Sequence, residues 1–359
     1  MRPASMTTAS MTTATKLRAA VAVAGTGLLA SLLAACGGTA SGATTQSITL
    51  YSGQHVQTTD ALVTQFEKAT GITVQVRSDD EDVLANQIAA EGARSPADVI
   101  FTENSQVLEF LQGKGLLAKV NKSTLADTPA TYDSPDGDWA AISGRVSVII
   151  YNPALISASQ LPTSVMQLAD PKYRGKLAIA PGETDFQPIV TAVERAYGAA
   201  AAKQWLEAVK ANGSAHNYPD NETVADQVNR GGAAFGLVNE YYWYRMRAEI
   251  GVSNTKARIT HLAPGNPGYV VDVSGAAIMK SSKHLAAAQK FVAFLVSKQG
   301  QDVIANPKES ISFEYPIDSG VTTEAGETPF SQLQPYPITI SQLGTGTAAI
   351  ALLRQAGLL

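Results

Sequence analysis

The sequence predicts an α/β protein built as two lobes. Strand-like and helix-like stretches alternate from residue 48 to residue 112, and a second series of apolar strands and amphipathic helices follows from residue 146. A chain of 359 residues with 45% hydrophobic side chains has enough apolar area for two full cores.

Taken in order, Ile48-Thr49-Leu50-Tyr51 reads as a strand that Gly53 ends. Apolar positions at Ala61, Leu62, Val63, Phe66 and Ala69 space a helix over 58–69, with Gly71 as its stop. Residues 72–76 form a second strand, 83–90 a second helix, 98–101 a short buried strand, and 105–112 a third helix capped by Ser105. This β-α-β-α-β-α order is that of a parallel sheet covered on both faces. Right-handed crossovers then bring 53–55 and 102–104 to one edge, where open parallel sheets bind ligands. In the second block, 146–151, 176–180, 233–238 and 275–279 read as strands, and 200–211, 285–297 and 348–353 as helices. The strand over 233–238 runs straight into Asn239-Glu240-Tyr241-Tyr242-Trp243-Tyr244.

Composition narrows the function. There are 31 acidic against 27 basic side chains. Arg2, Lys16 and Arg18 lie in the first 35 residues, which contain no acid, so the remainder is more acidic still. Such a chain lacks the basic face that nucleic acid requires. A single cysteine excludes an intrachain disulfide framework, an iron–sulfur cluster and a thiolate zinc site, and four histidines leave room for one modest imidazole site.

Residues 1–35 read as a secretory signal, with Lys16 and Arg18 ahead of an apolar run too short and too rich in small residues for a membrane span. Leu33-Ala34-Ala35-Cys36-Gly37 resembles the lipobox of bacterial lipoproteins, which implies cleavage before Cys36 and lipidation of its sulfur. Residues 36–47 are uncharged and rich in Gly, Ser and Thr, a flexible tether. The expected location is outside the cytoplasm, on the outer face of the cytoplasmic membrane, held by the lipid anchor only.

Four positions could make a metal site. His55 and Glu103 follow the ends of two parallel strands, and Tyr241 and Tyr242 follow a strand of the second block. Two phenolates, one carboxylate and a neutral imidazole carry three negative charges, which neutralise a ferric ion. A tyrosine keeps its proton up to a pKa of about 10 unless a strongly polarising cation displaces it. Zinc and copper favour imidazole and thiolate, and calcium favours many carboxylates. Each feature alone also has a plainer reading. A loop histidine is commonly solvated, a lone Glu is commonly a cap, and the Tyr-Tyr-Trp-Tyr run could be core packing or a platform for a sugar or heteroaromatic ring.

Taken together, Ser52-Gly53-Gln54-His55, Pro96-Ala97-Asp98-Val99, Phe101-Thr102-Glu103-Asn104, Ile142-Ser143-Gly144-Arg145, Asn239-Glu240-Tyr241-Tyr242-Trp243-Tyr244 and Ser274-Gly275-Ala276-Ala277 resemble the ferric-ion-binding proteins of bacterial iron ABC transporters, with Glu314-Tyr315-Pro316 as a late match. The resemblance implies the transferrin-like, two-lobed periplasmic-binding-protein fold, each lobe a mixed sheet flanked by helices, hinged between lobes. Lobe limits of 48–147 plus 272–322 and 148–271 plus 323–359 follow, with hinges near 145–148 and 271–274. It further implies Fe3+ held by His55, Glu103, Tyr241 and Tyr242, with a synergistic anion (phosphate or carbonate) or water completing the shell. The implied partners are an ABC permease and its ATPase, the protein itself being a monomer and not an enzyme. The alternatives are a binder of organic solutes of the thiamine, polyamine or phosphonate type on the same fold, or an enzyme using Glu103 and Asp185 as paired acids.

The anion side departs from the family. Asn104, Asn221 and Asn239 fit positions that would hydrogen-bond an anion, but Glu183-Thr184-Asp185 stands where the family has a small-residue turn. Each carboxylate there would repel phosphate by roughly 1 to 4 kcal/mol at about 4 Å. Either the acids turn outward and backbone N–H groups face the anion, or the anion is smaller, or a carboxylate replaces it. Asp79-Asp80-Glu81-Asp82 reads as a helix cap, Arg145 as a partner behind the site or an interlobe salt bridge, and His216, His261 and His284 as surface residues.

Overall fold

The computed structural model describes residues 46–359, apart from 307, 309, 319 and 322–326. The expected leader, Cys36 and nearly all of the tether lie outside the described residues.

The chain opens with β1 (Ser47–Ser52), α1 (Val56–Thr70), β2 (Thr73–Ser78), α2 (Glu81–Glu91), β3 (Val99–Thr102) and α3 (Ser105–Gly113). As the alternation requires, β1 pairs in parallel with β2 on one side and β3 on the other. Gly71 closes α1 in the left-handed conformation, donating its N–H to Glu67, which a residue with a Cβ would do under strain.

A short helix, α4 (Lys122–Leu125), leads to β4 (Trp139–Tyr151), whose 13 residues are all buried. Only its second half is legible as a strand. A strand buried on both faces shows no alternation, and Ser143-Gly144-Arg145 breaks the apolar run. Then come β5 (Leu177–Ala178), α5 (Phe186–Tyr197), α6 (Ala199–Gly213), α7 (Asn221–Arg230), β6 (Phe235–Asn239), α8 (Glu240–Ile250), β7 (Arg258–Thr260) and β8 (Val271–Ile278). The chain ends with α9 (Leu285–Val296), α10 (Lys298–Ala305), β9 (Tyr315–Pro316), α11 (Ile340–Leu343) and α12 (Thr347–Gln355). The sequence pattern gave no sign of α5 and α7. Pro188 sits in the first turn of α5, where its missing N–H is harmless, and α7 buries little beyond Val224, Ala225 and Val228.

The strand order is β2-β1-β3-β8-β4-β6-β5, with β7 and β9 also on β4. Strand β8 is antiparallel between β3 and β4, so the parallel order of β2-β1-β3 stops there, parallel pairing recurs between β5 and β6, and the sheet as a whole is mixed. The first half of β4 bonds β8 up to Val146, opposite Val271, and from Ser147 onward β4 bonds β6. Strand β4 thus changes partner from β8 to β6 between Val146 and Ser147.

The core follows the period-2 alternation of the strands. Leu50, Val99, Phe101, Ala276 and Ile278 face α1 and α9, with Phe66 edge-on to Phe291, the centroids 5.0 Å apart. Tyr51, Ile100 and Ala277 face the other way, into a core that continues through β4 to α5, α6 and α12. Among the described residues, no helix is long and apolar enough to cross a membrane.

Candidate metal centre

Strands β1 and β3 end side by side, tied by the Gly53 N–H donating to the Phe101 carbonyl at 2.8 Å. His55 follows as the N-cap residue of α1, and Glu103 lies between β3 and α3. Nδ1 of His55 is 3.1 Å from Oε1 of Glu103. From the far side of β4, β6 passes at Asn239 into α8, which puts Tyr241 and Tyr242 in the first helical turn. The buried carboxylate of Glu240 pins that turn, accepting the Val146 N–H of β4 at 2.6 Å. The rings of Tyr241 and Tyr242 lie 5.5 and 6.2 Å from His55, centroid to centroid, and 4.2 Å from each other. The four residues singled out from the sequence therefore come together.

A fifth group stands among them. Asp185 occupies the N-cap position of α5 but makes no capping bond. Its Oδ2 instead accepts the hydroxyls of Tyr241 and Tyr242 at 3.0 Å each and Nδ2 of Asn221 at 3.4 Å. Behind these groups lies Arg145, at 1% exposure in the middle of β4. Its Nη1 lies 3.4 Å from Asp185 and 3.5 Å from Glu103, and its Nη2 3.0 Å from Glu314. A guanidinium this deep is tolerable only with such partners. Arg145 therefore acts both as a partner behind the site and as a bridge between carboxylates of different segments. Glu314 is held in turn by Ser143 Oγ and, at 3.4 Å, by Gln54 Nε2.

Electrostatics follow from this burial. It pushes both phenols well above their ordinary range, Asp185 raises them further, and for Tyr241 Arg145 pulls the other way. Without a cation both tyrosines keep their protons and donate them to Asp185. Burial, followed by the charges of Arg245 and Arg145, pushes His55 well below its ordinary value, so the imidazole is neutral. With Nδ1 turned to Glu103, Nε2 is left as a buried nitrogen with no hydrogen-bond partner among the described residues. Glu103 is raised well above the carboxylate range by burial, against the pull of Arg145. Among the described residues, no group of three or more His, Cys, Asp or Glu is arranged to hold a metal.

The residues expected around an anion divide. Asp185 and Asn221 meet the tyrosines, as described. Asn104 spends its amide protons on Glu81 Oε1 at 3.1 Å and Thr184 Oγ1 at 2.9 Å. Asn239 is buried and lines a narrow gap with Asn104 and Asp185. Glu183 is pushed up to about 8, by burial and then by the neighbouring charges of Asp185, Glu222, Asp220 and Asp80.

Three expectations are corrected. Ser105 does not cap α3; Asn104 holds that position, and Ser105 Oγ donates to Asp272 Oδ1 at 2.7 Å. The acidic run 79–82 does not cap α2 through a side chain: Asp80 holds the N-cap position without a capping bond, and Glu81 is buried, its carboxylate accepting the N–H groups of Glu103 and Asn104 at 2.7 and 3.0 Å. His261 is not simply a surface group; it stacks on Tyr269 with centroids 4.6 Å apart. A signal for Glu81 was present, since it leads the buried stripe Glu81, Leu84, Ala85 and Ile88 of α2. The position of Asp185 had none, because helix phase does not say which way an N-cap carboxylate turns.

Residues 52–302 match the family model of the bacterial extracellular solute-binding proteins. The chain is 34% identical over 332 residues to the Fe(3+)-binding periplasmic protein of Serratia marcescens, covering 92% of this chain and 96% of that one. It is 35% identical over 313 residues to the major ferric iron-binding protein of Neisseria meningitidis serogroup B, covering 87% and 93%. Among solved structures, iron-bound HitA from Pseudomonas aeruginosa superposes with a TM-score of 0.82 at 39% identity, over 87% of this chain and 99% of that one. The two-lobed fold and the relatives agree: the chain belongs to the bacterial extracellular solute-binding protein family, among its periplasmic ferric-iron-binding members.

Proposed function

We propose that the protein binds Fe3+ outside the cytoplasm and delivers it to an ABC importer, the ion being cargo rather than a resident cofactor. The observation that carries this is the convergence of two phenols on one carboxylate oxygen beside a buried, unpartnered imidazole nitrogen. For metal–oxygen bonds of about 2.0–2.1 Å, neighbouring ligands of an octahedron lie about 2.9 Å apart. The two hydroxyl-to-carboxylate distances are 3.0 Å each, so one cation can replace the two phenolic protons with little movement. Hard oxygen donors suit a hard trivalent ion. The relatives named for ferric iron support the same cargo.

His55 through Nε2, Tyr241, Tyr242, Asp185 and Glu103, which leaves Nδ1 of His55 to reach the ion, are the ligands of this reading, with water completing the shell. Two phenolates and two carboxylates exceed the charge of the ion by one, and Arg145 faces that excess. Asp185 then takes the role that an exogenous phosphate or carbonate would otherwise fill. Of the three arrangements open at the Glu183–Asp185 turn, we adopt the one in which a carboxylate replaces the anion.

The lobes of this reading are 48–147 plus 272–322 and 148–271 plus 323–359. They hinge where β4 and β8 run together at Val146 and Val271. Closure is selected by cargo contacts that exist only when both lobes meet. Cys36 carries the lipid anchor, the partners are a permease and its ATPase, and no covalent chemistry is involved.

Purified protein mixed with ferric citrate tests this. A visible tyrosinate-to-iron band that disappears in the Tyr241→Phe/Tyr242→Phe double variant is the expected result. A colourless mixture would overturn the reading, and a colourless protein that retains a vitamin or polyamine would point to the organic-solute alternative.

A further inference from the structure

We infer that Glu81 is a positioning residue for the cargo site, acting through Glu103. The positioning stands on geometry alone, and its consequence for cargo rests on the iron reading above. Glu81 is the first residue of α2 and 3% exposed, although it lies in a run of four acids. Its Oε2 accepts the backbone N–H groups of Glu103 at 2.7 Å and Asn104 at 3.0 Å, and its Oε1 accepts Asn104 Nδ2 at 3.1 Å. One carboxylate therefore takes three donors from the loop that presents Glu103.

The backbone of the same residue seats the other loop. A Cβ on Gly53 would come within 2.6 Å of the Cα of Glu81, so the glycine lets α2 begin directly against the turn leading to His55. Glu81 thus lies against both loops that carry His55 and Glu103 and holds the spacing between them. The network also reaches across the cleft, because Asn104, fixed by Glu81, donates to Thr184 beside Asp185 at 2.9 Å. Groups that orient a metal ligand through its own hydrogen bonds typically matter 10–100-fold in metal affinity.

The chemistry of the side chain makes the inference testable. Three donors converge on two oxygens, so Glu81→Gln keeps the shape yet turns an N–H toward a donor in either amide orientation. Two measurements on the full-length protein check it. In cargo-free protein, hydrogen exchange at the Glu103 and Asn104 amides is expected to speed up in Glu81→Gln and to stay unchanged in Asp80→Asn, an exposed member of the same run. In a chelator-competition titration with Fe3+, Glu81→Gln is expected to lose affinity about tenfold while keeping the tyrosinate band. That loss should vanish in a Glu103→Gln background, because Glu81 acts through Glu103.

Unchanged exchange at both amides would overturn the positioning, and an equal loss of affinity with and without Glu103 would overturn the route through it. A wild-type protein with no ferric band but with the exchange difference intact would sink the iron reading alone.

Discussion

Nδ1 of His55 lies 3.1 Å from a carboxylate oxygen of Glu103, while Nε2 of the same ring is buried with no hydrogen-bond partner among the described residues. In cargo-free protein this contact holds the ring of His55 in place beside Glu103. The rings of Tyr241 and Tyr242, in the first turn of α8 directly after β6, stand edge-on to the same imidazole.

Glu103→Gln should therefore weaken Fe3+ binding by 10–100-fold, by loosening the imidazole as well as by removing a negative charge. The tyrosinate band should persist, since both phenols remain. Chelator competition followed in the visible region checks both. Wild-type affinity in this variant would rule out a role for Glu103.

Asp185→Ala should convert an anion-independent site into an anion-dependent one. The wild-type protein is expected to bind Fe3+ equally well with and without phosphate or carbonate, since Oδ2 already occupies the point where the two hydroxyls converge. The variant should bind weakly in anion-free buffer and recover when phosphate is added. Titrations in the two buffers decide; a wild-type protein that phosphate tightens as much as the variant would discard the carboxylate as a ligand.

Iron uptake should release at least two protons per ion at neutral pH, because burial keeps Tyr241 and Tyr242 protonated well above the ordinary tyrosine range until the cation arrives, and Glu103, raised by burial as well, adds to the count. Affinity must then rise with pH. A pH-stat titration counts the protons directly, and a value near zero would exclude phenolate ligation.

Cargo-free protein should lose stability as pH rises through the neutral range. Glu81 is raised to about 7 and Glu183 to about 8 from an ordinary value of 4.5, in both cases mainly by burial. The folded state thus holds these protons more tightly than the unfolded chain. The stabilisation is full below pH about 4.5 and is lost on the way up to pH about 8. Glu183→Gln removes the like-charge neighbour of Asp185, Glu222, Asp220 and Asp80, and should raise the melting temperature at pH 8.5 by about 2 °C with little change at pH 5. Calorimetry at the two pH values tests the sign; an equal shift at both would mean that charge is not the cause.

Much of the fold was legible because its signals are local. Alternation in β1 to β3, the spacing of α1 and α9 and the glycine after α1 each follow from neighbours a few residues apart. The first half of β4 was not, because burial on both faces erases the alternation, and polar α7 escaped because it offers only a thin apolar stripe. At the site, His55, Glu103, Tyr241 and Tyr242 could be named in advance as residues at the ends of strands. The inward turn of Glu81 was hidden by its acidic neighbours, although the period of α2 put it on the buried stripe.

The sequence by itself determined the order of elements and, through the family resemblance, which side chains are available to a hard cation, since residue types and short periods are properties of the chain alone. Only the tertiary structure decided what meets what. It carried Asp185 from a helix N-terminus onto both phenols, and it enclosed Arg145 among Glu103, Asp185 and Glu314, residues up to 211 positions apart. The physical reason is burial: a charge removed from water must find its partner wherever the packed chain places one, and no local pattern records that distance.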